Sequence, residues 1–213
     1  MLAKIRVALI ERVKPIHRKF RRQKIDLFLG LVGESSGRAR LLDVGGGAGV
    51  SGEFLQLYSS FASVLVVNLT SDTIDPPSGV RLETMAADGR CLPFETGTFD
   101  WVFSNAVIEH VGGWDDQNRF AQEIRRVASC GYFVTTPNRH FPLEPHTLLP
   151  FYQFVPTRVQ RWIAPYSPGY VRQYEEINLL SAAQMQRLFP EATVVALGFP
   201  VLGNSLVAYF RRG

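Results

Sequence analysis

A glycine-rich turn at residues 43–49 constrains the fold of this chain more than any other part of its sequence. A mostly apolar run at 38–44 leads into glycines at positions 45, 46, 47 and 49, and a helical pattern follows over about 50–58. A buried parallel strand that turns directly into a helix has this pattern. Because glycine tolerates positive φ and lets a flat ligand approach the backbone, the turn predicts a binding site.

Strand-like and helix-like segments alternate along the rest of the chain. Further strands are expected at 64–69, 81–86, 99–103 and 132–135, followed by a hairpin of strands at 193–197 and 206–210. A helix capped by Asp116 is expected to end before Gly131. Ser181 and Gln184 form a capping box for a further short helix. This order predicts an α/β fold with a Rossmann-like, seven-stranded, mostly parallel sheet, helices on both faces and an antiparallel C-terminal strand.

Length and charge divide the chain into two predicted parts. At 213 residues the chain fits one domain, which we expect over 31–213, with an insertion rich in proline and aromatic residues at about 137–176. Residues 1–30 are predicted to form a basic, amphipathic leader helix that is kinked or broken at Pro15. Much of the net charge of +4 lies over residues 12–24 of this leader. The insertion is expected to act as a lid.

Cysteine content and hydropathy indicate where the chain is expected to work. Cys91 and Cys130 stand alone in the sequence, which favours a reducing compartment. The sequence has neither the uninterrupted apolar core of a signal peptide nor a run of about 18 apolar residues. We therefore expect a cytoplasmic protein, and the basic residues within 1–24 indicate contact with a membrane surface.

Three sequence blocks occur in an order that is typical of one enzyme family. They are LLDVGGGAG at 41–49, AADGRCLPF at 86–94 and TFDWVFSNAVIEHV at 98–111. With these blocks the chain resembles the class I methyltransferases, in particular the type 11 group that includes enzymes of ubiquinone and menaquinone biosynthesis. The resemblance covers about residues 40–136 and implies a domain that transfers a methyl group from S-adenosylmethionine.

The resemblance also implies which residues hold the cofactor. Asp43 and the glycines of the turn would surround its methionine end, and Asp88 would accept a hydrogen bond from the adenine amino group. In the family an acidic residue usually ends the second strand and binds both ribose hydroxyls, whereas this chain has Asn68 there. Because an amide accepts one hydroxyl and donates to another, cofactor binding is expected to be weakened or repositioned rather than abolished. The expected cofactor-binding residues are Asp43, Gly45, Gly47, Gly49, Asn68, Asp88, Gly89, Ser104 and Asn105.

Two histidines are the candidates for the chemistry at the methyl acceptor. Methyl transfer from a sulfonium is a direct displacement, which needs alignment rather than a nucleophilic side chain of the enzyme. A hydroxyl or amine acceptor must still lose a proton, and His110 is the first candidate for the base because it follows the fourth strand. His146 in the insertion is the second candidate, and Glu109 either orients His110 or faces solvent. No metal site is expected, because His140 and His146 lack the i, i+4 spacing of zinc-binding pairs.

Several alternatives stay open. Glycines at 47, 49 and 52 also fit a dinucleotide fingerprint with Asp72 about 20 residues later, so an NAD-dependent oxidoreductase is one alternative. A nonenzymatic or vestigial cofactor-binding domain is another, because of Asn68. RNA is a less favoured partner, since the fourth strand ends in Ser-Asn-Ala and not in the Asn-Pro-Pro-Tyr of base-amine enzymes. A small-molecule acceptor, apolar or lipid-linked, is expected, while its identity, its attacking atom and the oligomeric state stay open.

Overall fold

The chain folds around one seven-stranded sheet. The computed structural model describes residues 2–47, 52–70, 79–169, 171 and 173–213. The strands are β1 (Arg40–Val44), β2 (Ser63–Asn68), β3 (Leu82–Ala86), β4 (Phe99–Asn105), β5 (Ala128–Pro137), β6 (Thr193–Leu197) and β7 (Ser205–Arg211). All seven predicted strands are present, and β5 extends beyond its predicted ends on both sides. Gly49 and Asp72, which the sequence singled out, lie outside the described residues.

Helices surround this sheet. Those in the described part of the chain are α1 (Leu2–Val32), α2 (Gly52–Tyr58), α3 (Trp114–Val127), α4 (Thr157–Ile163) and α5 (Ala182–Leu188). Ser181 caps α5: its hydroxyl accepts the N–H of Gln184, and its own N–H donates to the Gln184 side chain, so the predicted capping box is confirmed. Within the described residues, none of the helices is long and apolar enough to cross a membrane.

The strand order opens a crevice at the carboxyl ends of the central strands. The order is β3-β2-β1-β4-β5-β7-β6, and only β7 runs antiparallel to its two neighbours. The predicted mostly parallel sheet with an antiparallel C-terminal strand is therefore confirmed. Chain order reverses between β1 and β4, so the connections that leave these two strands diverge. In open parallel sheets ligands bind at this point, beyond the carboxyl ends of the strands.

An apolar layer covers each face of the sheet. Successive side chains of a strand point to opposite faces, which divides β1 and β4 between two clusters. Leu41, Trp101 and Phe103 pack with residues of α1 and α2, while Leu42, Val44 and Val102 pack with residues of α3 and α5. The helices predicted on both faces are therefore present.

The second half of α1 belongs to the core. Phe28 and Val32 are fully buried, and the Phe28 ring lies 5.2 Å from the ring centroids of both Phe103 and Phe133. The helix also continues through Pro15, so it is not broken there. The division into a leader and a separate domain stays a prediction, but the last turns of the leader pack against the sheet.

The cap expected for α3 is wrong, and Gly131 lies further beyond the end of the helix than a helix-ending glycine would. The helix begins at Trp114, so Asp116 lies inside its first turn and not at the cap. There its carboxylate pairs with Arg90 at 3.1 Å. At its other end α3 runs directly into β5, and Gly131 lies within that strand. A Cβ at Gly131 would collide with the carbonyl oxygen of Phe210. The glycine is needed for the close pairing of β5 with β7 and does not end the helix.

The chain just after the insertion is tied to the connection between β4 and α3. The backbone N–H of Asn178 donates to the carbonyl oxygen of Glu109 at 2.8 Å. The side-chain Nδ2 of Asn178 donates to the carbonyl oxygen of Gly112 at 3.0 Å. The Gln117 side chain in turn donates to the Asn178 carbonyl at 2.8 Å. These bonds fix the chain just after the insertion beside the connection that follows β4, while a lid role of the insertion stays a prediction.

Replacing Phe28 by alanine should destabilise the protein strongly, although the residue lies in the predicted leader. Truncation of a fully buried phenylalanine should lower the free energy of unfolding by about 3–5 kcal/mol. Ile16→Ala on the same helix, where the residue is 41% exposed, should cost less than about 1 kcal/mol. Urea denaturation followed by circular dichroism measures both effects. Equal losses in the two variants would contradict the burial of α1 against the sheet.

Candidate functional site

A cavity of about 360 Å³ opens beyond the carboxyl ends of β1, β2 and β4. Five residues predicted to form the site line it, and they come from all three sequence blocks and from the end of β2. These residues are Gly45, Asn68, Asp88, Gly89 and His110. Apolar side chains of the strands and of α3 complete the lining, among them Val67 and Phe120. The topology thus gathers residues that are far apart in sequence at the crevice of the sheet.

The turn after β1 passes close to the loop after β4. Gly45 has a φ of 91°, and its N–H donates to the carbonyl oxygen of Val67 at 2.7 Å. A Cβ at position 45 would collide with the side chain of Val107. The neighbouring Ala106 has a φ of 56°, a left-handed conformation that costs a non-glycine residue about 1–2 kcal/mol. This wall of the cavity therefore requires glycine at position 45 and holds strained backbone opposite it.

Asp43 lies buried beneath the turn and outside the described lining of the cavity. The hydroxyl of Tyr58 donates a hydrogen bond to Oδ2 of Asp43. Burial raises the pKa of Asp43 to about 7, and the bond from Tyr58 offsets only part of this effect. A Cβ at Gly46 would lie 2.9 Å from the same oxygen, so the carboxyl group packs against the turn. This geometry supports the turn, while direct contact with a cofactor stays a prediction.

Asn68 both lines the cavity and braces the turn. Its Nδ2 donates to the carbonyl oxygen of Gly46 at 3.0 Å, and its Oδ1 accepts the N–H of Leu69 at 2.8 Å. An aspartate here would have no hydrogen to donate to the Gly46 carbonyl. The departure from the family pattern therefore has a local structural reason.

Asp88 is held in the cavity wall by Arg90. The guanidinium donates to both carboxylate oxygens, most closely at 2.6 Å, and also to the carbonyl oxygen of Val111 at 3.2 Å. The hydrogen bond from Arg90 lowers the pKa of Asp88, so the carboxylate is ionised at neutral pH. The backbone N–H, Nε and Nη2 of Arg90 use three of the about four acceptor positions of this carboxylate, so Asp88 keeps capacity for one further donor.

Ser104 and Asn105 stabilise the sheet beside the cavity and are not part of its described lining. Ser104 is fully buried, and its hydroxyl donates to the carbonyl oxygen of Val44 at 2.9 Å. Asn105 accepts the hydroxyl of Thr135 at 2.8 Å. Gly47 also lies outside that lining. Cofactor contacts of these three residues stay predictions.

Both candidate bases lie together beside the cavity. The rings of His110 and His146 meet edge to face with their centroids 5.0 Å apart. Nε2 of His110 lies 3.9 Å from Oε1 of Glu109, and ligand atoms of all three residues lie within 4.8 Å of one another. Glu109 is fully buried, so it does not face solvent. We call Glu109, His110 and His146 the histidine cluster.

Glu144 fixes the position of His146 in this cluster. Its Oε1 accepts Nδ1 of His146 at 2.6 Å and the His146 N–H at 3.1 Å. Its Oε2 accepts the N–H and the hydroxyl of Thr147, both at 2.7 Å. The loop after β5 thus folds around one buried carboxylate.

The two histidines differ in their pKa. Burial opposes a charge on His146, but the hydrogen bond and charge of Glu144 outweigh burial and raise its pKa. Burial lowers the pKa of His110 to about 4, and the nearby His146 adds to this effect. His110 is therefore neutral at physiological pH, and His146 is the stronger base of the pair.

Lys24 is a residue near the site that the sequence did not reveal. Its buried ammonium donates to Asn105 at 3.2 Å and to Thr135 at 3.4 Å. Burial lowers the pKa of Lys24 to about 8. In the sequence Lys24 ends a run of basic residues that looks solvated, and only the packing of α1 on the sheet distinguishes it. That Glu144 holds His146 was only weakly indicated by the sequence, where the two residues are two positions apart.

Comparison with known proteins identifies the central part of the chain. Residues 42–135 match the family model described as a methyltransferase domain, of type 11. This segment includes β2, β3 and β4 and most of β1 and β5, together with the cavity lining. No curated protein is similar to the chain at a significant level.

Solved structures with the same fold include proteins bound to a demethylated cofactor. Magnesium protoporphyrin IX methyltransferase from Synechocystis PCC 6803, with bound SAH, is 14% identical with a TM-score of 0.63, covering 95% of this chain and 86% of that one. A protein from Pyrococcus horikoshii OT3 is 20% identical with a TM-score of 0.62, at coverages of 90% and 91%. N-methyltransferase NodS from Bradyrhizobium japonicum WM9, with S-adenosyl-L-homocysteine, is 14% identical with a TM-score of 0.59, at coverages of 94% and 90%. At these identities the structures support the fold.

The buried carboxyl group of Asp43 should make stability depend on pH. The folded protein keeps this proton up to a pKa of about 7, whereas the unfolded chain loses it near 3.8. Between these values the folded state binds more protons, so this group lowers stability as the pH rises from about 4 to 7. Asp43→Asn should lack this loss, which amounts to about 1.4 kcal/mol for each unit of pKa difference.

Urea denaturation of Asp43→Asn and of the wild type between pH 4.5 and 7.5 measures this effect. The stability of the variant relative to the wild type should rise with pH across the window. Asp115→Asn, at an exposed position in the first turn of α3, is the control and should follow the wild type. A relative stability of Asp43→Asn that stays constant with pH would contradict the raised pKa.

Proposed function

We propose that this chain, an S-adenosylmethionine-dependent methyltransferase by its domain and its fold, methylates a small-molecule acceptor beside His110 and His146. One observation carries the proposal: His110 belongs both to the cavity lining and to the histidine cluster. A pocket suited to the methyl donor and a group suited to accept a proton therefore adjoin each other.

The cavity fits S-adenosylmethionine in size and in chemistry. Its volume of about 360 Å³ lies within the range of about 300–1000 Å³ that is typical of small-molecule sites. Val67 and Phe120 offer apolar surface to a flat base, and the ionised Asp88 is an acceptor for an exocyclic amine. The amide of Asn68 lies in the wall at the end of β2, where ribose hydroxyls need polar partners.

The residues of this chain have to bind, align and receive a proton. When bound, S-adenosylmethionine would supply a methyl group: the acceptor's lone pair would bond to the methyl carbon while the C–S bond breaks and its electron pair stays on sulfur. Alignment in such a site contributes about 7–11 kcal/mol to lowering the barrier. Gly45 and Asn68 shape the donor pocket, and His110 forms the part of its wall that continues into the cluster.

The acceptor's proton passes to the histidine cluster in this proposal. Glu144 holds Nδ1 of His146, so Nε2 is the ring nitrogen left to receive a proton. His110 is neutral and packs edge to face on His146, which restricts the orientation of both rings. A base held in this way contributes typically about 10²–10⁴-fold to the rate of reactions that remove a proton.

Exposed aromatic residues favour an apolar or lipid-linked acceptor that is met at a membrane surface. Trp162 and Tyr166 in the insertion are 73% and 77% exposed, and Phe151 and Phe154 are exposed as well. Aromatic rings are enriched at the interface between membrane and water. We propose that the protein is cytoplasmic and docks on a membrane through these aromatic residues and the basic residues of α1.

Titration calorimetry of the full chain tests the donor pocket. S-Adenosylmethionine should bind and NAD should not. Asp88→Asn should weaken binding roughly 10-fold or more, because a charged acceptor for the adenine amine is lost. Asp115→Asn makes the same chemical change at an exposed position and should leave the affinity unchanged. Heat with NAD and none with S-adenosylmethionine would contradict the proposed function.

Sedimentation with anionic vesicles tests the membrane contact separately. Trp162→Ser together with Tyr166→Ser should lower vesicle binding about 10-fold or more, since burial of one large apolar side chain contributes about 1.5–3 kcal/mol. Val201→Ser, which removes an apolar side chain at a residue that is 99% exposed beside β6, is the control and should bind as the wild type does. Equal binding of all three proteins would show that the insertion does not dock on the membrane.

A further inference from the structure

The histidine cluster has the donor atoms of a metal site. Glu109, His110 and His146 each offer one ligand atom, and these atoms lie within 4.8 Å of one another. A tetrahedral ion with ligand bonds of about 2.1 Å holds its ligands about 3.4 Å apart. Nε2 of His110 and Oε1 of Glu109 are already at 3.9 Å. Side-chain rotations that move the ligand atoms by about 1 Å are enough to close the cluster around an ion.

One oxygen of Glu109 lacks a partner. Oε2 accepts the hydroxyl of Thr136 at 3.0 Å, but Oε1 is buried without a hydrogen bond among the described residues. A buried carboxylate oxygen without a partner is costly and needs an explanation. Lys24 does not supply that partner, because its ammonium donates to Asn105 and Thr135. The oxygen lies 3.9 Å from Nε2 of His110, and a cation between these two atoms would satisfy it.

Glu144 provides the outer support that metal-binding histidines usually have. A histidine that binds a metal through one ring nitrogen commonly donates its other N–H to a carboxylate. Glu144 accepts Nδ1 of His146 at 2.6 Å and is itself fixed by two bonds from Thr147. Nε2 of His146 is therefore the nitrogen available to an ion. A proton-accepting histidine needs only the ring and its carboxylate, and does not explain Oε1 of Glu109.

We propose that Glu109, His110 and His146 bind a divalent transition-metal ion. Two imidazoles with one carboxylate suit Zn²⁺, Mn²⁺ or Fe²⁺ better than Mg²⁺ or Ca²⁺, which prefer oxygen ligands throughout. Three protein ligands leave coordination positions open on the ion. His110 also lines the cavity, so these positions adjoin the pocket and suit an oxygen atom of the acceptor. With the ion bound, Nε2 of His146 is a ligand and no longer receives the acceptor's proton. A coordinated acceptor oxygen would instead lose its proton to water, because the ion lowers its pKa. That the ion serves methyl transfer in this way rests on the proposed function, whereas metal binding itself does not.

Metal titration of the full chain, freed of any affinity tag and of metal by chelation, tests the site. Zn²⁺ and Mn²⁺ are titrated by calorimetry, and Co²⁺ is followed by its visible absorption. One ion should bind per chain. His146→Ala should weaken binding at least roughly 100-fold, and Glu144→Gln about 10–100-fold through the orientation of His146. Glu109→Gln keeps the shape of the side chain and should weaken binding at least roughly 10-fold.

His140→Ala is the matched control, because His140 is exposed and is not part of the cluster. It should bind each metal within twofold of the wild type. Lack of binding by the wild type, or equal losses in His140→Ala and His146→Ala, would overturn the proposal. S-Adenosylhomocysteine titrated into the same metal-free proteins monitors folding and the donor pocket independently. If S-adenosylhomocysteine binds and the metals do not, the metal site is wrong while the proposed function stands. If the metals bind and S-adenosylhomocysteine does not, the metal site stands while the proposed function is wrong.

Discussion

The parallel pairing of β1 with β2 on one side and with β4 on the other is the constraint on which the site depends. Because chain order reverses here, the loops that leave these strands diverge and a cavity opens between them. Gly45 then crosses so close to Val107 that a side chain at position 45 would force the two loops apart. The glycine therefore serves the packing of the loops as much as the approach of a ligand.

Buried polar groups determine what this crevice can do. Three ionisable side chains are buried in this part of the protein: Asp43, Glu109 and Lys24. Burial of such groups is costly unless they are paired, and shifted pKa values of this kind concentrate at functional sites. Asp43 has Tyr58, and Lys24 has two hydrogen-bond acceptors, but Glu109 keeps one oxygen unsatisfied. The contrast explains why the cluster, and not the turn, is the place where a further ligand is expected.

Local sequence patterns predicted the sheet and the residues that follow its strands. A β-branched run marks β2, and Asn68 and Asp88 reach the cavity because carboxyl ends of parallel strands share one edge. The cap predicted at Asp116 is wrong because the helix begins earlier, at Trp114, and Asp116 pairs instead with Arg90, which is distant in sequence. The burial of Lys24 depends on how α1 packs on the sheet. Such tertiary contacts have no local signal, so the histidine cluster was visible only as separate residues.

A crystal structure of the full chain grown with S-adenosylhomocysteine tests most directly whether this cavity holds the methyl donor. The adenine amino group should lie within hydrogen-bond distance of Asp88, the ribose beside Asn68, and the amino-acid end against the turn at Gly45. Ligand density in any other part of the molecule, or none in the cavity at a saturating concentration, would contradict the assignment.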